Sequence, residues 1–74
     1  MNIFEQLEKV EATDGGIKRK FVFKHNGIEL VLYEDSAGHY SLCKHSLVMD
    51  TVICESEIKQ DIEDALAKCN REVA

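Results

Sequence analysis

Apolar residues recur at helical spacing in the N-terminal segment of the chain. The positions that share one face are Ile3, Phe4, Leu7 and Val10. This spacing predicts a short amphipathic helix. Asn2 is a favourable N-cap, and Glu5 lies where the helix dipole favours a negative charge. We expect the helix to end at Asp14-Gly15-Gly16, because glycine adopts the left-handed conformation that closes helices.

The C-terminal segment has a longer apolar stripe with the same spacing. Its members are Ile58, Ile62, Ala65, Leu66 and Cys69. Charged residues occupy the positions that face away from the stripe, which is typical of a helix packed on a core. Ser56 is a suitable N-cap, and Glu57 follows it in the first turn. We therefore expect a C-terminal amphipathic helix that covers one face of a sheet.

Between these segments the apolar pattern has a period of two, which predicts strands. Asn26-Gly27 separates two such runs and is the strongest short signal for a hairpin, because a type I′ turn needs positive φ at both positions. The resulting register is expected to place Phe23 opposite Leu30, Phe21 opposite Leu32, Val22 opposite Val31 and Lys24 opposite Glu29. Each face of the hairpin is then chemically consistent, which supports the register.

Two further turns are predicted after this hairpin. Ser36-Ala37-Gly38 suits a three-residue loop with glycine in the left-handed position. This loop would place Leu32 opposite Leu42, Val31 opposite Cys43 and Asp35 opposite His39. A short turn at His45-Ser46 would then bring Leu42 near Met49 and Cys43 near Val48. The predicted fold is a single α+β domain over residues 1–74, with an N-terminal helix, a four-stranded antiparallel meander sheet and the C-terminal amphipathic helix on one sheet face.

The predicted sheet has two faces of different character. One is expected to form the core and collects Phe21, Phe23, Leu30, Leu32, Leu42, Met49 and Ile53. The reverse face is expected to carry an apolar row of Val22, Val31, Cys43 and Val48, with Tyr33 beside it. A solvated sheet face is normally more polar. Either the N-terminal helix covers this row, or both helices lie on the core face and the row is left for a partner chain.

Composition limits the size and the setting of the protein. The chain has 74 residues, 45% of them apolar, and a formal charge of −5. A chain of this length forms one domain and has little room for an enclosed active-site cleft. It has no apolar run long enough to span a bilayer and no secretory leader pattern, so we expect a cytoplasmic protein without a membrane partner. The three cysteines are then expected to be reduced thiols.

The charges are distributed unevenly along the chain. The Lys18–Lys24 segment carries four cations and no acid, whereas the terminal segments are acidic. An acidic surface is expected at Glu57, Asp61 and Asp64 on one side of the C-terminal helix. A nucleic-acid-related role is therefore the alternative function, either through phosphate contacts of the basic strand or through mimicry of nucleic acid by the acidic helices.

The sequence contains no motif that indicates catalysis, a metal site or a cofactor. We therefore expect a non-enzymatic protein-interaction module, similar in kind to small inhibitors and adaptors, including those encoded by phages and mobile elements. The partner is expected to be another protein or a second copy in a homodimer. The residues expected to form the interface are Val22, Val31, Tyr33, Cys43 and Val48, with Lys20 and Lys24 orienting the partner.

Overall fold

The computed structural model describes residues 2–10 and 16–73, with residues 70–73 described through their backbone alone. The elements are a 3₁₀ helix Ile3–Gln6, β1 Glu8–Lys9, β2 Ile17–His25, β3 Ile28–Asp35, β4 Tyr40–Lys44, β5 Thr51–Ser56 and α1 Lys59–Val73. The strands form one antiparallel five-stranded sheet in the order β1-β2-β3-β4-β5. The α+β class is confirmed. The prediction of four strands and an N-terminal α-helix is wrong in both details.

The N-terminal segment is a short 3₁₀ helix followed by a strand. Asn2 caps this turn as predicted, since its Oδ1 accepts the backbone N–H of Phe4 at 2.9 Å. At Leu7 the backbone becomes extended, with ψ near 129°. Glu8 then pairs with Lys20 of β2, so pairing with the sheet replaces further helical turns. The predicted helix end at Asp14-Gly15 lies outside the described residues.

The hairpin between β2 and β3 has the predicted turn and register. Asn26 and Gly27 have φ values of 53° and 81°, as a type I′ turn requires. The pairs Phe23–Leu30, Phe21–Leu32, Val22–Val31 and Lys24–Glu29 are all present. The next connection also matches the prediction, because it pairs Leu32 with Leu42 and Val31 with Cys43. Gly38 there has a φ of 88°.

The third turn differs from the prediction. The chain makes a loop over residues 45–50, and β5 begins only at Thr51, so Cys43 pairs with Val52 rather than Val48. Met49 lies in this loop and is exposed, and a register shift in the β4–β5 pairing leaves Ile53 partly exposed. The prediction that Met49 and Ile53 belong to the core is therefore wrong. His45-Ser46 has no residue that favours positive φ, so nothing in the sequence closes a tight turn there.

One apolar core lies between the sheet and the segments that cover it. Its buried members are Ile3, Phe4, Leu7, Leu30, Leu32, Tyr40, Leu42 and Ile62. The rings of Phe4 and Tyr40 meet edge to face, with centroids 5.0 Å apart. Among the described residues, Ile3, Phe4 and Leu7 therefore pack on the same face of the sheet as α1, rather than over the reverse face. The described part of the chain has no helix with the length and apolar character that a bilayer crossing requires.

The helix α1 is positioned by its apolar stripe, as predicted. Ile62 is fully buried, Cys69 is buried, and Ala65 and Leu66 are partly buried against the sheet. Ser56 contributes at the start, because its hydroxyl accepts the backbone N–H of Ile58 at 3.0 Å. Ile58 itself precedes the helix and is exposed, so it is not part of the stripe.

Candidate interaction site

The reverse face is the side of the sheet turned away from α1. The strand pairing places one apolar row across it, formed by Val22, Val31, Cys43 and Val52. The inner two residues are shielded, with only 1% of Val31 and 4% of Cys43 exposed. The outer two, on β2 and β5, are exposed. Of the predicted interface residues, Val31 and Cys43 are therefore buried within the chain's own structure, and Val48 lies outside the row.

The loop of residues 45–50 returns toward the reverse face and is held there by hydrogen bonds. The backbone N–H of His45 donates to the carbonyl of Glu29 at 2.9 Å. Nδ1 of His45 lies 2.8 Å from Oδ1 of Asp50. The hydroxyl of Tyr33 donates to the other oxygen of Asp50 at 2.7 Å. We call these four residues, Glu29, Tyr33, His45 and Asp50, the polar clamp.

The polar clamp changes the ionisation of its members. Hydrogen bonds from Tyr33 and then His45 lower the pKa of Asp50 below its usual range. The hydrogen bond to Asp50, together with burial, raises the pKa of Tyr33 to about 12. Burial is also the main cause that raises the pKa of the Cys43 thiol. At neutral pH, Asp50 is thus an anion that holds a neutral Tyr33, while Cys43 is a protonated thiol that packs as a small apolar group.

The middle of this loop presents apolar side chains to solvent. The exposed fractions are 106% for Leu47, 92% for Val48 and 69% for Met49. Ser46 closes the loop beneath them, because its Oγ donates to the carbonyl of Met49 and accepts the N–H of the same residue at 3.2 Å. We call Leu47, Val48 and Met49 the apolar tip. Its base is fixed on one side by Ser46 and on the other by the polar clamp.

The predicted lysines lie on the reverse face and are exposed. Lys20 pairs with Tyr33 on one side and with Glu8 of β1 on the other. Lys24 pairs with Glu29. Neither lysine takes part in an ion pair among the described residues. The basic strand is thus bordered by carboxylates on its own face rather than forming a uniformly positive surface.

The predicted acidic surface is divided between two separate pockets. Glu57 belongs to a pocket of about 300 Å³ lined by Asp35, His39, Tyr40, Ser41, Glu55, Ser56 and Glu57. We call this the acidic pocket. Within it, Nε2 of His39 lies 3.4 Å from Oε2 of Glu57. Asp61 and Asp64 line a different pocket, of about 420 Å³, that also contains Lys68. Asp61 also adjoins the acidic pocket, because its Oδ2 accepts a hydrogen bond from the hydroxyl of Ser56 at 2.7 Å.

The apolar pattern does not indicate the residues that define the loop. It predicts His45 in a tight turn and Met49 in the core. The available signal was an apolar run, Leu47-Val48-Met49, enclosed by the polar pairs His45-Ser46 and Asp50-Thr51. In a half-buried strand, apolar residues alternate with polar ones. Here the three apolar residues are consecutive. Among the described residues, no group of three or more His, Cys, Asp or Glu side chains is arranged to hold a metal ion.

Comparison with protein-family models, with curated proteins and with solved structures gives no match for this chain. The molecule presents the exposed apolar tip, the exposed ends of the apolar row and the lysines of β2.

Proposed function

We propose that this protein is a small protein-binding module that acts without catalysis and uses the apolar tip and the reverse face. The observation that carries the proposal is the exposure of the apolar tip on a loop whose base is hydrogen-bonded on both sides. Large apolar side chains that project singly from a surface are common, but three consecutive ones on a fixed loop form a contiguous patch.

The hydrogen-bonded base gives the tip an energetic advantage in binding. Burying one large aliphatic side chain contributes about 1.5–3 kcal/mol. Ordering a mobile loop on binding would offset much of this gain. Here Ser46, His45 and Asp50 already restrict the loop in the free protein. The tip is therefore preorganised for insertion into an apolar recess of a partner protein.

The nucleic-acid alternative receives less support from the structure. Phosphate binding benefits from several cations that act together without nearby anions. Lys20 and Lys24 each have a carboxylate directly across from them, at Glu8 and Glu29. Mimicry by the acidic residues would need a continuous anionic surface, and Lys68 lines the same pocket as Asp61 and Asp64.

The experiment is affinity capture with matched variants of a tagged chain, in a lysate that also contains a copy with a second tag. Val48→Asp places a charge on the tip, and Ile58→Asp makes the same kind of change at an exposed apolar residue elsewhere. We expect the wild type and Ile58→Asp to retain the same bound proteins, and Val48→Asp to lose them.

The proposal is wrong if Val48→Asp captures the same proteins as the wild type in equal amounts. Circular dichroism on all three chains provides the folding control. Because residue 48 is almost fully exposed, we expect the variant spectra to match the wild type.

A further inference from the structure

The reverse face carries opposite charges on β2 and β5, and the strand register places them in a single line, in which Glu8 of β1 adjoins the charge on β2. Lys20 on β2, Tyr33 on β3, Ser41 on β4 and Glu55 on β5 are consecutive partners across the sheet. Neighbouring strands lie about 4.8 Å apart, so Lys20 and Glu55 are separated by about 14 Å. They are too distant to pair within one chain.

Glu55 is also part of the acidic pocket, where Asp35 and Glu57 add two further carboxylates. Of the described residues that line this pocket, His39 is the only base, and it lies near Asp35 and Glu57. The pocket thus offers a negative recess at the sheet edge, which Ser41 and Glu55 join to the reverse face, while an exposed lysine projects from β2. A surface with this arrangement is complementary to a copy of itself.

We infer that two copies of this chain associate reverse face to reverse face, with Lys20 of each copy entering the acidic pocket of the other. This inference rests on the proposed function and names the partner as a second copy. A two-fold axis parallel to the strands, between β3 and β4, places β2 of one copy over β5 of the other. Lys20 then faces the partner's Glu55, and Val22 faces the partner's Val52.

The same axis also determines where the apolar tips lie. A rotation about an axis parallel to the strands leaves positions along the strands unchanged, so both tips lie at the same end of the dimer. Because the loop joins β4 to β5, Leu47, Val48 and Met49 of the two copies lie on opposite sides of the axis at that end.

Sedimentation velocity over a range of concentrations, at low salt, tests the arrangement through charge reversal. Lys20→Glu and Glu55→Lys should each weaken dimerisation by about tenfold or more, since each places like charges together at two symmetric contacts. An equimolar mixture of the two variants should dimerise as well as the wild type, because both contacts then carry opposite charges. A chain that carries both Lys20→Glu and Glu55→Lys should also dimerise as well as the wild type, because each contact again joins opposite charges.

Matched controls carry the same charge changes on α1, which faces away from the interface. Lys68→Glu and Glu63→Lys, both at exposed positions, should dimerise like the wild type. A wild-type chain that stays monomeric up to hundreds of micromolar overturns the inference, and so does a mixture of Lys20→Glu and Glu55→Lys that fails to associate. Val48→Asp tests the apolar tip, whereas the charge reversals test the contact between Lys20 and Glu55, so the failure of one proposal can be distinguished from the failure of the other.

Discussion

The two faces of the sheet are closed in different ways. The core face is closed by large apolar side chains from both ends of the chain, and Leu30, Leu32, Leu42 and Ile62 are completely buried there. On the reverse face Val31 and Cys43 are buried as well, but the loop beside them is held by hydrogen bonds among Tyr33, His45, Asp50 and Glu29. Apolar burial scales with area, whereas a hydrogen bond in water contributes little net free energy.

This difference assigns the two faces separate roles. The core face supplies most of the stability, and substitutions there should unfold the protein. The reverse face uses its interactions mainly to fix a conformation, since the polar clamp determines where the apolar tip lies. Four predictions test this contrast, in order of decreasing effect on stability.

The largest effect is expected from removal of a buried core side chain. Leu32→Ala should lower the free energy of unfolding by about 2–5 kcal/mol, because it leaves a cavity beneath α1 and the N-terminal segment. Val52→Ala, at the exposed end of the apolar row, should change it by about 0.5 kcal/mol or less. Urea denaturation followed by circular dichroism measures both. Equal losses for the two variants would mean that the reverse face is a second core.

A smaller effect is expected at the border of the core face, where Glu34 is buried and accepts two hydrogen bonds from Arg19, at 2.6 and 2.8 Å. Glu34→Gln should lower the free energy of unfolding by about 1–3 kcal/mol at pH 7.

The guanidinium of Arg19 lowers the pKa of Glu34 below its ordinary value of 4.5. The contribution of the Glu34–Arg19 pair to the free energy of unfolding is therefore complete above pH 4.5. It is lost as the pH falls through the lower pKa that Glu34 has in the folded state. The wild type and the variant should converge in acid. If the free energies of unfolding of the wild type and Glu34→Gln still differed by the same amount at pH 2, the charge of Glu34 would not be the cause of the difference.

The polar clamp is expected to contribute less than the pair at Glu34. Tyr33→Phe removes its hydrogen bond to Asp50 and should lower the free energy of unfolding by about 1 kcal/mol. The pKa of Tyr33 is raised from 10.0 to about 12. Its contribution is therefore complete below pH 10 and is lost as the pH rises from 10 to 12.

Two measurements examine this prediction. Denaturation midpoints of the wild type and Tyr33→Phe should differ by a constant amount up to pH 10 and converge above it. Tyrosinate absorbance should show one residue that ionises near pH 12 in the wild type, and Asp50→Asn should shift this ionisation to lower pH. An unshifted titration in Asp50→Asn would contradict the assigned hydrogen bond.

The smallest effect on stability is expected at the apolar tip. Leu47→Ser should change the free energy of unfolding by less than about 0.5 kcal/mol, because the side chain is as exposed in the folded state as in the unfolded chain. The same variant should weaken association with the partner. A large loss of stability in the isolated monomer would instead mean that Leu47 packs against the rest of the folded chain. Thermal denaturation at low concentration, with sedimentation in parallel, separates these cases.

The sequence was sufficient to predict the two inner hairpins, because each has its own local signal. Asn26-Gly27 and Gly38 allow the positive φ values that their turns need, and alternation then determines the register on both sides. The C-terminal helix was equally accessible, since its stripe continues over several turns. In each case the information lies within a few residues of the structure it determines.

The parts that were predicted wrongly depend on contacts between distant residues. The loop at 45–50 is fixed by Tyr33 and Glu29, which lie on another strand. The N-terminal segment has helical spacing but pairs with β2 instead, because backbone bonding to the sheet competes with a short helix that is marginal on its own. A candidate site built from such contacts is visible only once the chain is folded.

Ile53 lies at the register shift of β5, between Val52, which pairs with Cys43, and Cys54, which pairs with Leu42. This irregularity affects how the folded chain behaves in a crowded solution. β5 is the last strand of the sheet, and its outer edge offers backbone groups to any extended peptide. The register shift between the Leu42 and Cys43 pairs interrupts this edge in the middle of the strand. An incoming strand cannot match an interrupted ladder along its whole length. The irregularity therefore opposes fibril growth at an edge whose sequence, Thr-Val-Ile-Cys, would otherwise favour it.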